Sequence, residues 1–388
     1  MMSSAELSHF FCPTSIHLGV GSYRKVADSL RRWKVRRLFV LLDSALLTSS
    51  FYADVQALLK EEVEHYDVYT EIEPDPSAHT VEKAFQVCSS SGATVLLAIG
   101  GGSTMDVAKA VGILATNGGR IHDYEGIEKF GTPPLPLIAI PTTAGTGSEV
   151  SGSCVITDTE KNLKMSIRHA SLNPADVAIL DPLALRSLPQ HVAAHSGLDA
   201  FVHAFESYIS RLANPFTDAI NLHALTLISS NIRQFTANRN NLDASLNMLC
   251  GSALAGMTFG QTGLGNVHCM ARFIGAYFHL SHGLSNALCL PHVAAFNLPA
   301  NPAKYARIAQ AMGEHVLDMP ERHGAEQALQ AIRVLCSDLD IPSRLRDAGV
   351  QENKLDEMAE LCVGANYNRW NPRDTSLCDF QRLFRDAF

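Results

Sequence analysis

The stretch Ala93-Thr-Val-Leu-Leu-Ala-Ile-Gly-Gly-Gly-Ser-Thr-Met-Asp-Val-Ala-Lys109 decides the architecture of the first half of the chain. An apolar run leads into three consecutive glycines, and helical spacing follows from Thr104. The same alternation surrounds it. Strands are expected over 35–43, 64–72, 93–100, 136–143 and 177–180, and helices over 22–33, 51–62, 80–90 and 104–116, each bounded by turn residues. Short β-branched runs alternating with helices are the pattern of a parallel sheet with crossover helices, so this half reads as α/β.

After Asp181-Pro182 the pattern changes to long helical stretches, over 191–210, 216–235, 242–260 and 265–277, with almost no alternating runs. The expected organisation is an α/β domain over residues 1–186 and an all-α domain over 187–388. No Gly/Ser-rich linker, repeat or low-complexity tract separates them. The join near 182–190 is therefore expected to be tight, with a ligand cleft enclosed by the two halves.

The triple glycine has a chemical reading. Backbone N–H groups at Gly100, Gly101 and Gly102 can approach a pyrophosphate without hindrance from a Cβ, and the following helix presents unsatisfied N–H groups and the positive end of its dipole. Ser103 with Asp106 three residues on also forms a capping-box pattern, so a well-capped strand-to-helix turn is the plain alternative. A second loop, Pro141-Thr-Thr-Ala-Gly-Thr-Gly-Ser-Glu149, leaves another apolar strand with hydroxyls and unhindered N–H groups. Two such loops at the carboxyl ends of strands in one sheet point to a shared nucleotide. Asp43 ends a further strand, where a carboxylate can accept from a ribose diol and repel a 2′-phosphate, which favours NAD over NADP; a simple turn residue is the alternative there.

Composition narrows the partners. With 388 residues, 46% of them hydrophobic, the chain is long enough for two domains with substantial cores. A net charge of −8 with both signs scattered offers no basic field for nucleic acid. Residues 1–15 lack a basic leader followed by an apolar stretch, and no apolar run is long enough to span a bilayer, so a cytoplasmic location is expected. Nine cysteines form no C-x-x-C pair and read as reduced thiols.

Sixteen histidines, several of them between His268 and His292, invite a search for metal ligands. Asp199 and His203, four apart in Gly-Leu-Asp-Ala-Phe-Val-His203, project from one helix face. Alone that pair is better explained by a structural contact. The run from Val267 to Asn286 adds His268, His279 and His282, and one carboxylate with three imidazoles suits a divalent transition metal such as Fe(II) or Zn. Spacing does not say which histidines bind.

Together these motifs resemble the iron-dependent (group III) alcohol dehydrogenases, within the larger dehydroquinate synthase and glycerol dehydrogenase-like fold. The similarity runs from Gly19-Val-Gly21 through Gly-Gly-Gly-Ser-Thr-Met-Asp106, Thr-Thr-Ala-Gly-Thr-Gly-Ser-Glu-Val150, Gly-Leu-Asp-Ala-Phe-Val-His203 and His-Gly-Leu-Ser-Asn-Ala287 to Asn371-Pro-Arg373. The resemblance implies a Rossmann-like dinucleotide-binding domain followed by a helical metal-binding, catalytic domain. It implies metal ligands Asp199, His203, His268 and His282, and NAD contacts at Asp43, Gly100, Gly101, Gly102, Ser103, Thr142, Thr143, Thr146 and Lys164. The implied activity is interconversion of a small alcohol and aldehyde in a homodimer or larger assembly. In that reaction the metal acts as a Lewis acid toward the substrate oxygen, and hydride passes to or from nicotinamide.

Two positions depart from the family pattern. Asp75-Pro76 stands where Asn-Pro is usual, and Arg272, four residues after His268, stands where a second active-site histidine is usual. Arginine stays protonated at neutral pH and cannot relay a proton, leaving that task to water or to another group such as His279. Arg272 either forks onto an anionic group of the substrate or pairs with a protein carboxylate or the cofactor phosphates. A maleylacetate-type reductase is an alternative because it handles carboxylates. A lyase of dehydroquinate synthase type and a catalytically silent binding module are the readings from other classes.

Overall fold

A computed structural model describes residues 9–161 and 163–388. They divide into two compact units, one formed by Phe11–Leu188 with Arg239–Ala253, the other by Pro189–Asn238 with Leu254–Phe388 and residues 9–10.

In the first unit the strands are β1 (Ser15–Leu18), β2 (Arg37–Leu42), β3 (His65–Tyr69), β4 (Val95–Gly100), β5 (Gly126–Ile127), β6 (Leu137–Pro141), β7 (Ser153–Asp158), β8 (Leu163–Arg168) and β9 (Val177–Leu180). The helices are α1 (Lys25–Arg32), α2 (Ser50–Glu62), α3 (Ala78–Ser91) and α4 (Gly102–Asn117). Six strands form one parallel sheet in the order β1-β9-β6-β4-β2-β3.

The pleat explains why the central strands are apolar throughout. Phe39, Leu41, Leu96, Ala98, Leu137 and Ala139 point to a core shared with Val107, Val111 and Val81 of α4 and α3. Their neighbours Leu38, Val40, Leu97, Ile99, Ile138 and Ile140 point to a second core shared with Val26, Leu30 and Val55 of α1 and α2. Both faces are covered, so every residue of these strands has an apolar surrounding.

Chain order reverses beside β2. The connection out of β2 leads to β3 on one side, and β4 lies on the other. Ligands of such sheets bind at this point, beyond the carboxyl ends of the strands. Asp43 follows β2 and Gly100 ends β4, register-paired with Pro141 of β6. The expected nucleotide loops thus emerge side by side from one sheet edge.

The strands expected from sequence are present with shortened ends. β1 and the small sheet β5-β8-β7, in which β7 and β8 pair antiparallel, were not expected. β7 and β8 carry Ser153, Thr157, Lys164 and Ser166 among their apolar residues, which hides the strand signal in a polar-looking segment.

The second unit is helical. Its helices are α5 (Gln190–Ile209), α6 (Pro215–Ala237), the end of α7 (Leu242–Thr262), α8 (Asn266–Phe278), α9 (His282–Asn297), α10 (Pro302–Ala311), α11 (Glu321–Asp338), α12 (Leu355–Gly364) and α13 (Leu377–Ala387). Helix α5 is buried almost throughout and packs on α6 and α9, and α8 packs on α9. All nine cysteines are free. Among the described residues no helix is long and apolar enough to cross a membrane.

Helices α5 and α9 meet closely at Gly283, where a Cβ would lie 2.1 Å from the carbonyl oxygen of His195. Backbone cannot yield there as a side-chain tip can. Gly283→Ala is expected to cost about 1–3 kcal/mol through overpacking, read as a lower urea midpoint. Gly364→Ala, whose Cβ meets nothing within 4 Å, is the matched control and should leave the midpoint unchanged or slightly raised.

Candidate functional site

Helix α5 sets out the first elements of a buried polar cluster. Asp199, His203 and Glu206 follow one another at four- and three-residue spacing, so they share one face of the helix. The chain then supplies His268 from the first turn of α8 and His282 from the first residue of α9. Asp199, His203, His268 and His282 each bring one ligand atom, and all four atoms lie within 4.8 Å of one another. From Asp199, the distances are 3.9 Å to His203 Nδ1, 3.8 Å to His268 Nε2 and 3.7 Å to His282 Nε2. The His203 ring is stacked between Phe259 and His268, with centroids 4.5 and 4.7 Å away.

Burial shapes the chemistry of these donors. Asp199, His203 and His268 are at most 5% exposed, whereas the His282 side chain is 44% exposed and opens the cluster on one side. Burial, with His203 and His282 nearby, holds the His268 imidazolium well below its ordinary pKa, so the ring is neutral and keeps a lone pair. Burial alone would raise the Asp199 carboxyl; the imidazoles of His203, His282 and His268 and the Asn286 amide outweigh it and hold the carboxyl below its usual value. An ionised carboxylate, a neutral imidazole and further imidazoles converging on one point are a donor set for a divalent transition metal. One polar atom beside it also lacks a partner: Asn286 donates its Nδ2 to Asp199 Oδ1 at 2.7 Å, and its buried Oδ1 has no hydrogen bond.

His279 is not part of this cluster. It caps the carboxyl end of α8 in the left-handed region, φ 54°, and is exposed. Arg272 lies one turn beyond His268 on the same face of α8 and is half-buried.

Glu206 and Asn286 escaped the sequence reading. Glu206 is buried, and burial pushes its carboxyl up to about 7 against the pull of the backbone N–H groups of Val267, His268 and Gly265. A glutamate three residues after His203, on the helix face that also carries Asp199, was the available signal.

In the α/β unit the triple glycine and the threonine loop are packed on one another. A Cβ on Gly102 would meet Thr146 Cγ2 at 2.8 Å, one on Gly101 would meet Thr143 at 3.3 Å, and one on Gly100 would collide with Thr104. Thr142 donates its N–H to the Gly100 carbonyl at 3.0 Å. The Ser103–Asp106 capping box, weighed as the plain alternative, does not form. Gly101 is the N-cap residue and brings no side chain to the first turn of α4. Asp106 instead accepts from Ser148 Oγ and from the Val155 N–H, both at 3.0 Å.

Lys109, buried one turn further on, donates to Ser148 Oγ, Ser151 O and Ser153 O at 2.8–3.0 Å. Asp106 and Lys109 therefore tie the threonine loop and β7 to α4. Burial pushes the Asp106 carboxyl up to about 6, with the Lys109 ammonium opposing. Asp43 accepts from the Ala45 N–H, which is the turn role weighed for it. Lys164 of β8 forms an ion pair with Asp75 at 2.6 Å, and Asp75 is in the left-handed region, φ 54°.

Comparison with known proteins agrees with this picture. Residues 13–182 match the family described as iron-containing alcohol dehydrogenase, and residues 193–388 match the C-terminal part of the Fe-containing alcohol dehydrogenase family. The chain is 41% identical to 1,3-propanediol dehydrogenase of Klebsiella pneumoniae over 83% of each chain. It is 32% identical to the NAD-dependent methanol dehydrogenase of Bacillus methanolicus over 98% of this chain and all of that one. A crystal structure of a 1,3-propanediol oxidoreductase superimposes with a TM-score of 0.95 at 36% identity, covering 99% of this chain and all of the other. With matches over both halves and fold agreement along nearly its whole length, the chain belongs to the iron-containing alcohol dehydrogenase family.

Proposed function

We propose that this NAD-dependent alcohol dehydrogenase holds one divalent metal on Asp199, His203, His268 and His282 and interconverts a small primary alcohol with its aldehyde. The observation that carries the reading is the convergence of those four donors, drawn from three helices. A bound Fe(II), or Zn in its place, would supply Lewis acidity toward an alcohol or carbonyl oxygen. The chain's own contribution is a neutral His268, an ionised Asp199 and the half-exposed His282, beside which a substrate has access.

NAD(H) is assigned to the α/β unit, with Gly100, Gly101, Gly102 and Ser103 receiving the phosphates at the start of α4. Thr142, Thr143 and Thr146 line the second loop, and Asp43 and Lys164 serve the ribose. Support comes from the uncapped first turn of α4, from the close packing of the two loops, and from their position at the strand-order reversal.

Arg272 is assigned to an anionic group on the substrate. Its position one turn from His268 supports this, since a guanidinium there is charged at every working pH. A cytoplasmic homodimer completes the reading. Its support is β1, an edge strand of the six-stranded sheet followed by exposed Val20, which offers a natural surface for a second copy.

Replacing His203 or His268 by Ala should abolish stoichiometric Fe(II) or Zn uptake and lower NADH-linked aldehyde reduction by roughly two orders of magnitude or more. Metal content by mass spectrometry and initial rates check this; full metal occupancy in both variants would remove the assignment.

Arg272→His should reduce the preference for succinic semialdehyde over propanal by roughly 10- to 100-fold, the worth of a charge-assisted hydrogen bond. An unchanged ratio of kcat/KM values would place Arg272 outside the substrate site.

Asp75→Asn should release Lys164 from its half-exposed ion pair and tighten NADH about two- to five-fold, since such pairs are worth about 0.2–1 kcal/mol. Fluorescence titration of NADH reads this. Unchanged affinity in both Asp75→Asn and Lys164→Met would take Lys164 out of the cofactor site.

A further inference from the structure

We infer that Glu206 is a positioning residue that fixes the tautomer and orientation of the metal ligand His268. The inference rests on the metal reading above. His268 can bind a metal through Nε2 only if its proton sits on Nδ1, and a free imidazole populates both tautomers. Glu206 removes that choice. Its Oε2 lies 2.7 Å from His268 Nδ1 and also accepts the Gly265 N–H at 3.0 Å and, at 3.4 Å, the His268 N–H, while its Oε1 accepts the Val267 N–H at 2.7 Å. Both oxygens accept backbone N–H groups, which favours the ionised carboxylate, and an ionised carboxylate can meet the ring only by accepting from an Nδ1–H donor.

The opposite edge of the ring gives an independent check. His268 Nε2 lies 3.2 Å from Asn286 Nδ2, an amide nitrogen whose orientation is set by its 2.7 Å bond to Asp199 Oδ1. Turning that amide over would bring its oxygen against the carboxylate. An Nε2–H would therefore face another N–H donor, whereas an Nε2 lone pair is accommodated. Both edges of the ring thus select the same tautomer.

Glu206 also fixes where the ring stands. Helix α8 has Gly265 as its N-cap residue and so no side-chain cap of its own. Its first N–H groups are taken by Glu206 at Gly265, Val267 and His268, and by Asn371 Oδ1 at Asn266. One carboxylate reaching across from α5 therefore docks the first turn of α8 and aims the ligand carried on it. Because Glu206 lies two turns along α5 from Asp199, the helix that supplies one ligand positions another. Outer partners of this kind shift metal affinity by about 10- to 100-fold when removed.

The test uses metal-stripped full-length protein labelled with 15N-histidine. In the wild type, His268, assigned by its loss in His268→Ala, should show the Nδ1–H tautomer. Glu206→Gln keeps one oxygen that can face the ring, and Glu206→Met keeps none. Affinity for Zn(II) alone, measured by chelator competition, should fall about tenfold in the first and towards 100-fold in the second, where the tautomer preference should also be lost.

An Nε2–H tautomer in the wild type would overturn the inference, and that reading needs no variant to fold. Wild-type Zn(II) affinity in folded Glu206→Met, with binding lost in His268→Ala, would overturn it while leaving the metal site intact. A wild-type chain that takes up neither Zn(II) nor Fe(II) would overturn the metal reading, and this inference with it.

Discussion

Two carboxylates, Asp199 and Glu206, are buried on one face of a helix that is itself buried along most of its length, and the helical unit is arranged around that fact. Removing an ionised carboxylate from water costs several kcal/mol unless charge and hydrogen bonds replace the lost hydration. Glu206 is answered by the start of α8, through three backbone N–H groups and an imidazole. Asp199 is answered by the Asn286 amide and by three imidazoles. Helices α5, α8 and α9 cannot shift independently, since each carries one half of a buried polar contact whose other half lies on a neighbour. A divalent cation would add the positive charge that this set of donors lacks, which couples metal binding to the stability of the unit.

The α/β unit solves a different problem, that of holding two loops in register at a sheet edge. Glycine is needed at 100 and 102 because Thr104 and Thr146 occupy the space a Cβ would take. The loop that carries Thr142, Thr143 and Thr146 is in turn clamped at its far end by Asp106 and Lys109, both buried in α4. A lysine at such a position costs desolvation, and its three short hydrogen bonds offset that cost only while the loop stays in place. The threonine hydroxyls and the N–H groups of α4 are thereby preorganised, so that binding a phosphate there requires little further ordering.

What could be read from the sequence follows from how many constraints each residue answers to. Strands such as Val95–Gly100 are buried on both faces and therefore apolar at every position, which makes them visible; Ser153–Asp158, with polar residues at its ends, is not. Asp199 and His203 were legible because four residues on a helix is a fixed geometry. The choice among His268, His279 and His282 was not, because it depends on where α8 ends, and His279 falls in that break. Glu206 gave only a faint signal, its spacing from His203, because a helical glutamate ordinarily faces water. The capping-box alternative at Ser103–Asp106 fails for the opposite reason: a local signal is overridden because Asp106 turns to Ser148 and Val155, partners more than forty residues away.

The proposed role of Arg272 would let such a scaffold change its substrate while keeping the donors of its proposed metal site. The first turn of α8 is committed: its N–H groups are held by Glu206 and Asn371, and His268 faces Asp199. The second turn supplies none of the four clustered donors, and its side chains inherit the orientation that the first turn imposes, because α8 is continuous from Asn266 to Phe278. A side chain at 272 is therefore presented from the same helix face as the ligand, one turn or about 5.4 Å further along the axis. Exchanging the imidazole expected there for a permanent cation would remove a proton carrier and add a charge at a fixed distance from the four donors. The preference of the site for the charge of its substrate can shift in this way while the donors themselves stay as they are.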